Sequence, residues 1–268
     1  MRSRPVLAVL AVAVVAVACA SDAGPVTVDR GASAVAASAE VRSTPVVTYR
    51  GVRTATDTYL VDASLPVVEG VPADVASAID RYLAGWFDAE LARFEREDRA
   101  FVVAGADAEG FAPGFLEVRP TPGSATASLL SVAFTVTSMH QGMAHPETVV
   151  ETVTFELSTG RAVELPELFV PGSDVYGTVS AEVVPLLVAA LDPTGDGWAE
   201  PGVRAGAAAD PDLLRRFVVD AAGLTLHFDQ YQVAPGAAGP QVVTLGWDGL
   251  LDVLPPSPLL RAALDPLG

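Results

Sequence analysis

Apolar residues recur along this chain at two periods, and the switches between them set the expected order of elements. Val41–Val52 and Thr56–Val68 read as strands. In the second, Tyr59, Val61, Ala63 and Leu65 fall on one face and Thr58, Leu60, Asp62 and Ser64 on the other. Pro72 then opens a helix at a position where its missing N–H costs nothing. Val75, Ile79, Tyr82, Leu83, Trp86, Phe87, Leu91 and Phe94 follow at helical spacing, and the mixed charges of Glu95–Arg99 close it. After a Gly-rich acidic loop, Ala104–Gly114, the two-residue period returns. Phe115–Arg119 is a short strand stopped by Pro120 and Pro122. Ala127–Met139 and Glu147–Leu157 are long strands joined by the turn His140–Pro146. Ser158-Thr159-Gly160 is a tight hairpin turn, and Arg161–Leu165 returns as a strand.

The second half is more broken. Val175–Leu191 reads as a helix kinked near Pro185. Asp192–Gly206 reads as irregular and Asp210–Val219 as a short helix. Gly223–Phe228 and Gln241–Trp247 are strands flanking the turn-rich segment Asp229–Pro240. Asp248–Leu254 is a closing helical turn, and the Pro-rich tail from Pro255 is expected to fray. Strands and helices do not alternate as a parallel sheet requires. The expected class is therefore α+β, with antiparallel sheets and packed helices.

The first forty residues follow a different logic. Arg2 and Arg4 precede an apolar run, Pro5–Ala18, and Ala16-Val17-Ala18 leads into Cys19. Charge, apolar core and small residues at the cut are the layout of a secretory signal. The run is shorter than the about 20 residues that a membrane span needs. Cys19 is the one cysteine, so it has no disulfide partner in the chain. The set resembles a lipobox, with Ala16 where Leu is usual, and implies that Cys19 is lipidated and anchors the chain to the membrane. The alternative is a plain signal peptide that leaves a free thiol. Residues 1–18 are then a signal peptide and 19–40 a flexible Ala/Ser/Gly/Val tether. Residues 41–125 form an N-terminal strand-strand-helix unit, 126–254 a C-terminal domain and 255–268 the tail.

Half the residues are apolar, enough to bury a core, and the formal charge is −17. Without Arg2 and Arg4 the mature chain carries 14 Arg against 33 acids, or −19. All the basic residues are arginine, which fits the codon bias of a GC-rich genome. So acidic a surface repels nucleic acid and attracts cations; solubility is the simplest reason for it.

Three stretches carry a family resemblance. They are Gly142–Pro146 with Thr152–Leu157, Ser158–Arg161 leading to Glu167-Leu168-Phe169, and Phe228–Pro240. Together they resemble the C-terminal extracellular domain of the RsiV-type family, a domain of unknown function, over roughly Ser131 to Leu254. Relatives include the lysozyme-sensing anti-sigma factor RsiV, accessory halves of peptidoglycan deacetylases and secreted mycobacterial antigens. The family commonly has a second glycine where this chain has Met143, and an aromatic where it has Gly236.

The third stretch also has a physical reading. Asp229 can bond to backbone N–H groups, and Tyr231 can pack its ring while its hydroxyl finds a partner. The small Ala234, Ala237 and Ala238 permit close backbone approach, and Pro235 and Pro240 stiffen the loop. A buried Tyr231 ring would make Tyr231→Ala cost about 2–4 kcal/mol. Tyr231, Asp229, Gln230, Pro235 and His145 are the candidate ligand-binding residues.

Other chemistry is thinner. His140, His145, His227 and Asp229 could ligate zinc, but there is no two-histidine helix motif, and turn-packing and strand roles are the simpler reading. Asp192, Thr194 and Asp196 stand at the first, third and fifth positions of a calcium-like loop with Gly197 at the sixth. Position twelve is Val203 rather than Glu, and an ordinary turn is favoured. There is no Gly-x-Ser-x-Gly elbow, P-loop or dinucleotide fingerprint, and no cofactor is implied. A paired-acid glycosidase remains open, with no pair singled out.

The expected role is therefore a non-catalytic extracytoplasmic binding or sensing lipoprotein of the cell envelope, whose partner is a cationic protein such as lysozyme or a cell-wall ligand. The alternatives are an envelope enzyme acting on cell-wall glycan or esters, and a structural accessory lipoprotein. An anti-sigma role of the RsiV kind is not expected, because only the signal peptide precedes Cys19.

Overall fold

The computed structural model describes residues 45–101, 112–121, 125–126 and 128–265. The signal, Cys19, the tether, Val41–Thr44, most of the acidic loop and the last three residues lie outside the described residues.

Six strands form the first sheet in the order of the chain: β1 (Val46–Ala55), β2 (Tyr59–Glu69), β3 (Gly114–Thr121), β4 (Leu129–Met139), β5 (Glu147–Glu156) and β6 (Arg161–Ala162). All neighbours are antiparallel except β2 and β3, which run parallel with Val61 opposite Leu116. That one parallel step requires a crossover, and helix α1 (Ala73–Phe101) lies in it. The expected inward set of β2 is buried at Val61, Ala63 and Leu65. Helix α1 packs on the same face with Val75, Ile79, Leu83, Phe87 and Phe94, against Leu130, Val132, Phe134 and Val136 of β4. Each such side chain contributes about 1.5–3 kcal/mol by leaving water. β3 runs past its proline: Pro120 stays in the strand opposite Phe134.

Helix α1 crosses this sheet diagonally. Near its start Tyr82 meets Phe155 of β5 edge-on, with ring centroids 5.3 Å apart. Near its end Phe94 meets Tyr59 of β2 at 5.5 Å. The Tyr59 hydroxyl donates to Glu95 at 2.6 Å, and burial together with that carboxylate pushes the phenol up to about 12. Gly160, in the hairpin turn after β5, has φ +72, and a Cβ there would crowd the Val75 carbonyl oxygen at 2.7 Å. This turn therefore seats against the first turn of the helix.

A second core forms on the other side of the sheet. Helix α2 (Val175–Leu191) keeps Pro185 inside it and buries Val175, Val179, Val183, Val184 and Leu187. Around it lie α3 (Glu200–Gly206), α4 (Pro211–Leu214) and a three-stranded antiparallel sheet of β7 (Phe217–Val219), β8 (Gly223–Phe228) and β9 (Gln241–Gly246), followed by α5 (Trp247–Val253). Part of the segment expected to be irregular is thus α3. The short helix expected over Asp210–Val219 ends at Leu214, and Phe217–Val219 is a strand. The reason is tertiary: Val219 N–H donates to Ser131 Oγ at 3.0 Å, and Ser131 is itself bonded to Thr154 at 2.8 Å. Ser131 and Thr154 are fully buried, so this pair fixes where β7 lands on β4 and β5. The boundary drawn at 125/126 falls between β3 and β4, inside the first sheet.

The tail does not fray over its described part. Val170 N–H donates to Pro255 O and Ser257 N–H to Leu168 O, both at 2.9 Å. Ser257 then caps α6 (Pro258–Leu264), accepting from Leu260 N–H, with a proline at the helix start. Leu260 is completely buried in the second core. Leu260→Ala is expected to destabilise the protein by about 2–4 kcal/mol in urea denaturation; a loss below about 0.5 kcal/mol would mean that the tail is dispensable.

Candidate functional site

β5 has an open outer edge. β6 pairs with it at Phe155 and Glu156, and Val163 N–H extends the pairing to Thr154 O; among the described residues no strand pairs with the edge from Glu147 to Val153. Asp229, the first residue after β8, meets this edge. One carboxylate oxygen accepts from Val150 N–H at 3.0 Å. The other pairs with Arg216 at 2.8 Å, and Arg216 also reaches Glu151 at 3.2 Å. The Arg216 side chain is only 12% exposed, so the pairing is well shielded from water.

The residues after Asp229 are tied in turn. Asp229 N–H donates to the Gln232 side-chain oxygen, and Gln232 N–H donates to Asp229 O, both at 3.0 Å. The Gln232 amide nitrogen donates to Gly206 O at 2.9 Å and Leu213 O at 3.0 Å. This brings α3 hard against the loop backbone. A Cβ at Gly202 would lie 3.2 Å from Val233 O, and one at Gly206 would overlap Gln232 O outright. The close approach expected of Ala234, Ala237 and Ala238 is made instead by these two glycines, one helical turn apart.

Between the tied residues sits Tyr231, with φ +70. It is the one non-glycine residue with positive φ among the described residues. A bulky side chain there costs roughly 1–2 kcal/mol in backbone strain. Its ring faces solvent: Tyr231 is 67% exposed, so the packing cost considered for a buried ring does not apply. One side of the ring rests on Gly236, where any side chain would collide with it. Gly236 is therefore the seat of Tyr231. Gln230 donates to Gly236 O at 2.8 Å, Pro235 is exposed beside a single 3-10 turn (Gly236–Ala238), and Gln241 donates to Ala238 O and Gly239 O.

The remaining candidates are dispersed. His145 is exposed near its neighbour's carbonyl, Pro146 O. His140 is buried, stacked on Phe94 at 4.8 Å and close to Glu97 and Asp98. Met143 turns its sulfur to His140 N–H. His227 is half-buried on β8, and desolvation holds its imidazole below the ordinary range. Among the described residues no group of three His, Cys, Asp or Glu is placed to hold a metal ion. Asp192 is buried and accepts from Asp196 N–H, Gly197 N–H and the Thr194 hydroxyl. Burial pushes its carboxyl upward, but those hydrogen bonds outweigh it and hold the group below the usual carboxylate value. The Thr194 hydroxyl also bonds to Asp196 at 2.7 Å.

One recess adjoins the clamp. Because α1 leaves β5 as it crosses the sheet, the corner at Ser138 and Glu147 stays open. It is a cleft of about 150 Å3 with Val136 and Val149 in its wall and Glu90, Glu147 and Glu151 around it. Arg93, also in the lining, is held by Glu90 and Glu97. Glu151 is shared between this cleft and the Arg216–Asp229 pair.

Asp229, Arg216, the two glycines of α3 and Tyr231 all fall in one matched stretch, while Val150 and Glu151 of β5 precede it. Residues 166–248 match DUF3298, a family of proteins of unknown function. The DUF3298 stretch runs from the 3-10 turn at Leu165–Leu168 to the first turn of α5, inside the span read from the three motifs. The fold of most of the chain is similar to a DUF3298-family protein from Bacteroides fragilis, with TM-score 0.58 and 14% identity over 84% of this chain and 98% of that one. It is also similar to a DUF3298-family protein from Pseudomonas aeruginosa, with TM-score 0.55 and 14% identity over 82% and 97%. No curated protein matches the sequence.

Sequence reasoning placed Asp229 and Tyr231 in a rigid loop but missed Arg216, Gln232 and Gly206. Gly202 and Gly206 at helical spacing were the available signal for a close-packed face. Gly206→Ala is expected to cost about 1–3 kcal/mol or more by forcing α3 off the loop, read as a lowered urea midpoint. Tyr231→Gly is expected to leave the melting temperature unchanged or higher, and Tyr231→Val to lower it. A large loss from Tyr231→Gly would mean that the ring stabilises the fold.

Asp192 also gives the acid limb a cause. A carboxyl held low in the folded state stabilises it above its unfolded value, and this is lost as pH falls through the folded one. Asp192→Asn is expected to flatten the fall in stability below about pH 4; an unchanged slope would remove Asp192 from that limb.

Proposed function

We propose that this chain is a non-catalytic binding lipoprotein of the cell envelope, lipidated at Cys19 and held on the extracytoplasmic face. In this reading its DUF3298 stretch works as an RsiV-like binding domain for a cationic protein such as lysozyme. The observation that carries the binding role is Tyr231. A large aromatic is kept exposed, in a costly backbone conformation, on a loop fastened at both ends. Strain of this kind clusters at ligand clamps, and an exposed rigid aromatic is a common interface anchor. The anchored role rests on the signal-like first eighteen residues and the cysteine that follows them. The cationic partner rests on the net charge of −17, because opposite fields speed encounter and suppress wrong partners.

Cys19→Ala is expected to abolish lipid modification and leave the chain released or unprocessed; a mutant kept in the membrane at the wild-type mature mass contradicts the anchor. Calorimetry of the protein with lysozyme, and with cytochrome c as an unrelated basic control, tests the partner. Saturable binding to lysozyme alone at physiological salt, where exposed charges beyond about 8 Å are screened, supports it. Equal weak binding to both that vanishes as salt rises leaves the acidity as a solvated surface.

A further inference from the structure

We infer that the open face of the Tyr231 ring is a platform for a cationic side chain, arginine above all, of a basic polypeptide partner. This rests on the binding role proposed above and deepens it. One face of the ring is backed by Gly236, and the residue is still 67% exposed. The clamp at Asp229 and the Gln230 bond to Gly236 O hold the loop beneath it in place, so little freedom is lost when a partner docks. The face of an aromatic ring is electron-rich and attracts a guanidinium or ammonium within about 6 Å of its centroid. The arginines nearest in the bonding network do not fill that role. Arg216 is drawn to Asp229 and Glu151, and Arg215 lies 3.9 Å from Glu151.

Charge favours the same occupant. The chain carries a net charge of −17, and through Arg216 and Glu151 the loop's bonding network reaches a cleft where Glu147 stands beside the Arg93–Glu90 and Arg216–Glu151 pairs. A sugar ring would also stack on tyrosine, but it needs polar groups beside the ring to take its hydroxyls. The flanking amide nitrogens are engaged within the fold: that of Gln232 donates to Gly206 O and Leu213 O, and that of Gln230 to Gly236 O. A cation needs only the ring face and the field around it.

The test uses the full chain at physiological salt, with calorimetry against hexa-arginine, its neutral counterpart hexa-citrulline, and a tetramer of N-acetylglucosamine. Tyr231→Phe keeps the ring and Tyr231→Leu removes it, with melting temperatures recorded for both. Hexa-arginine is expected to bind the wild type and Tyr231→Phe alike and Tyr231→Leu roughly two- to fivefold more weakly, with hexa-citrulline silent. Equal binding of hexa-arginine to all three proteins overturns the platform while leaving the cationic partner intact. Failure of hexa-arginine to bind the wild type overturns the platform as well, and the lysozyme titration decides whether the broader reading falls with it. Binding of the glucosamine tetramer that Tyr231→Leu abolishes overturns it in favour of a glycan surface.

Discussion

The carboxylate of Asp229 ties the loop after β8 to the open edge of the first sheet. A sheet edge presents unpaired N–H groups that must find partners, and β5 is exposed in this way because its hairpin partner is only two residues long. Asp229 satisfies Val150 N–H and neutralises Arg216 with the same side chain. The first bond reaches the rim of the first sheet directly, and the second reaches it through Arg216, which also pairs with Glu151 of β5. With the buried Ser131–Thr154 pair that receives Val219, they register two hydrophobic clusters against opposite faces of one sheet.

Loop order follows from that attachment. Once Asp229 is fixed, Gln232 is placed to reach Gly206 and Leu213, and α3 closes on the loop through a face without side chains. Tyr231 is left between two anchored neighbours with no room to relax its backbone. Strain of this size is small beside the packing of the second core and persists because the surroundings over-determine it. An exposed aromatic held this way costs little further entropy on contact, which is the physical content of calling the loop preorganised.

The sequence and the structure agree where local pattern and tertiary packing ask for the same thing. Helix α1 was legible because Val75, Ile79, Leu83, Phe87 and Phe94 mark one stripe and nothing in Ala73–Arg99 contradicts it. β2, β4, β5, α2, β8 and β9 were legible for similar reasons. Phe217–Val219 was misjudged because Leu213, Leu214 and Phe217 mimic a helical face, while its strand state depends on Ser131, more than eighty residues earlier. The tail was misjudged from its prolines, although Ser257-Pro258 is a good helix start. At the loop, composition conveyed rigidity but not whether the Tyr231 ring packs inward or stands in solvent. That is decided by the sign of one φ angle at Tyr231 and by the missing side chain at Gly236. Arg216 was invisible because its acidic partners, Glu151 of β5 and Asp229 of the loop after β8, are brought to it only by the tertiary fold.

Amide hydrogen exchange of Asp229→Ala tests most directly whether one carboxylate organises the loop. Gln232, Ala238 and Gly239 donate their N–H groups within the loop, to Asp229, Pro235 and Gly236. These amides are expected to lose protection in the variant, while those of β2 and β4 in the first sheet stay as slow as in the wild type. Unchanged protection at Gln232, Ala238 and Gly239 would contradict the account, because the loop would then be ordered without the clamp.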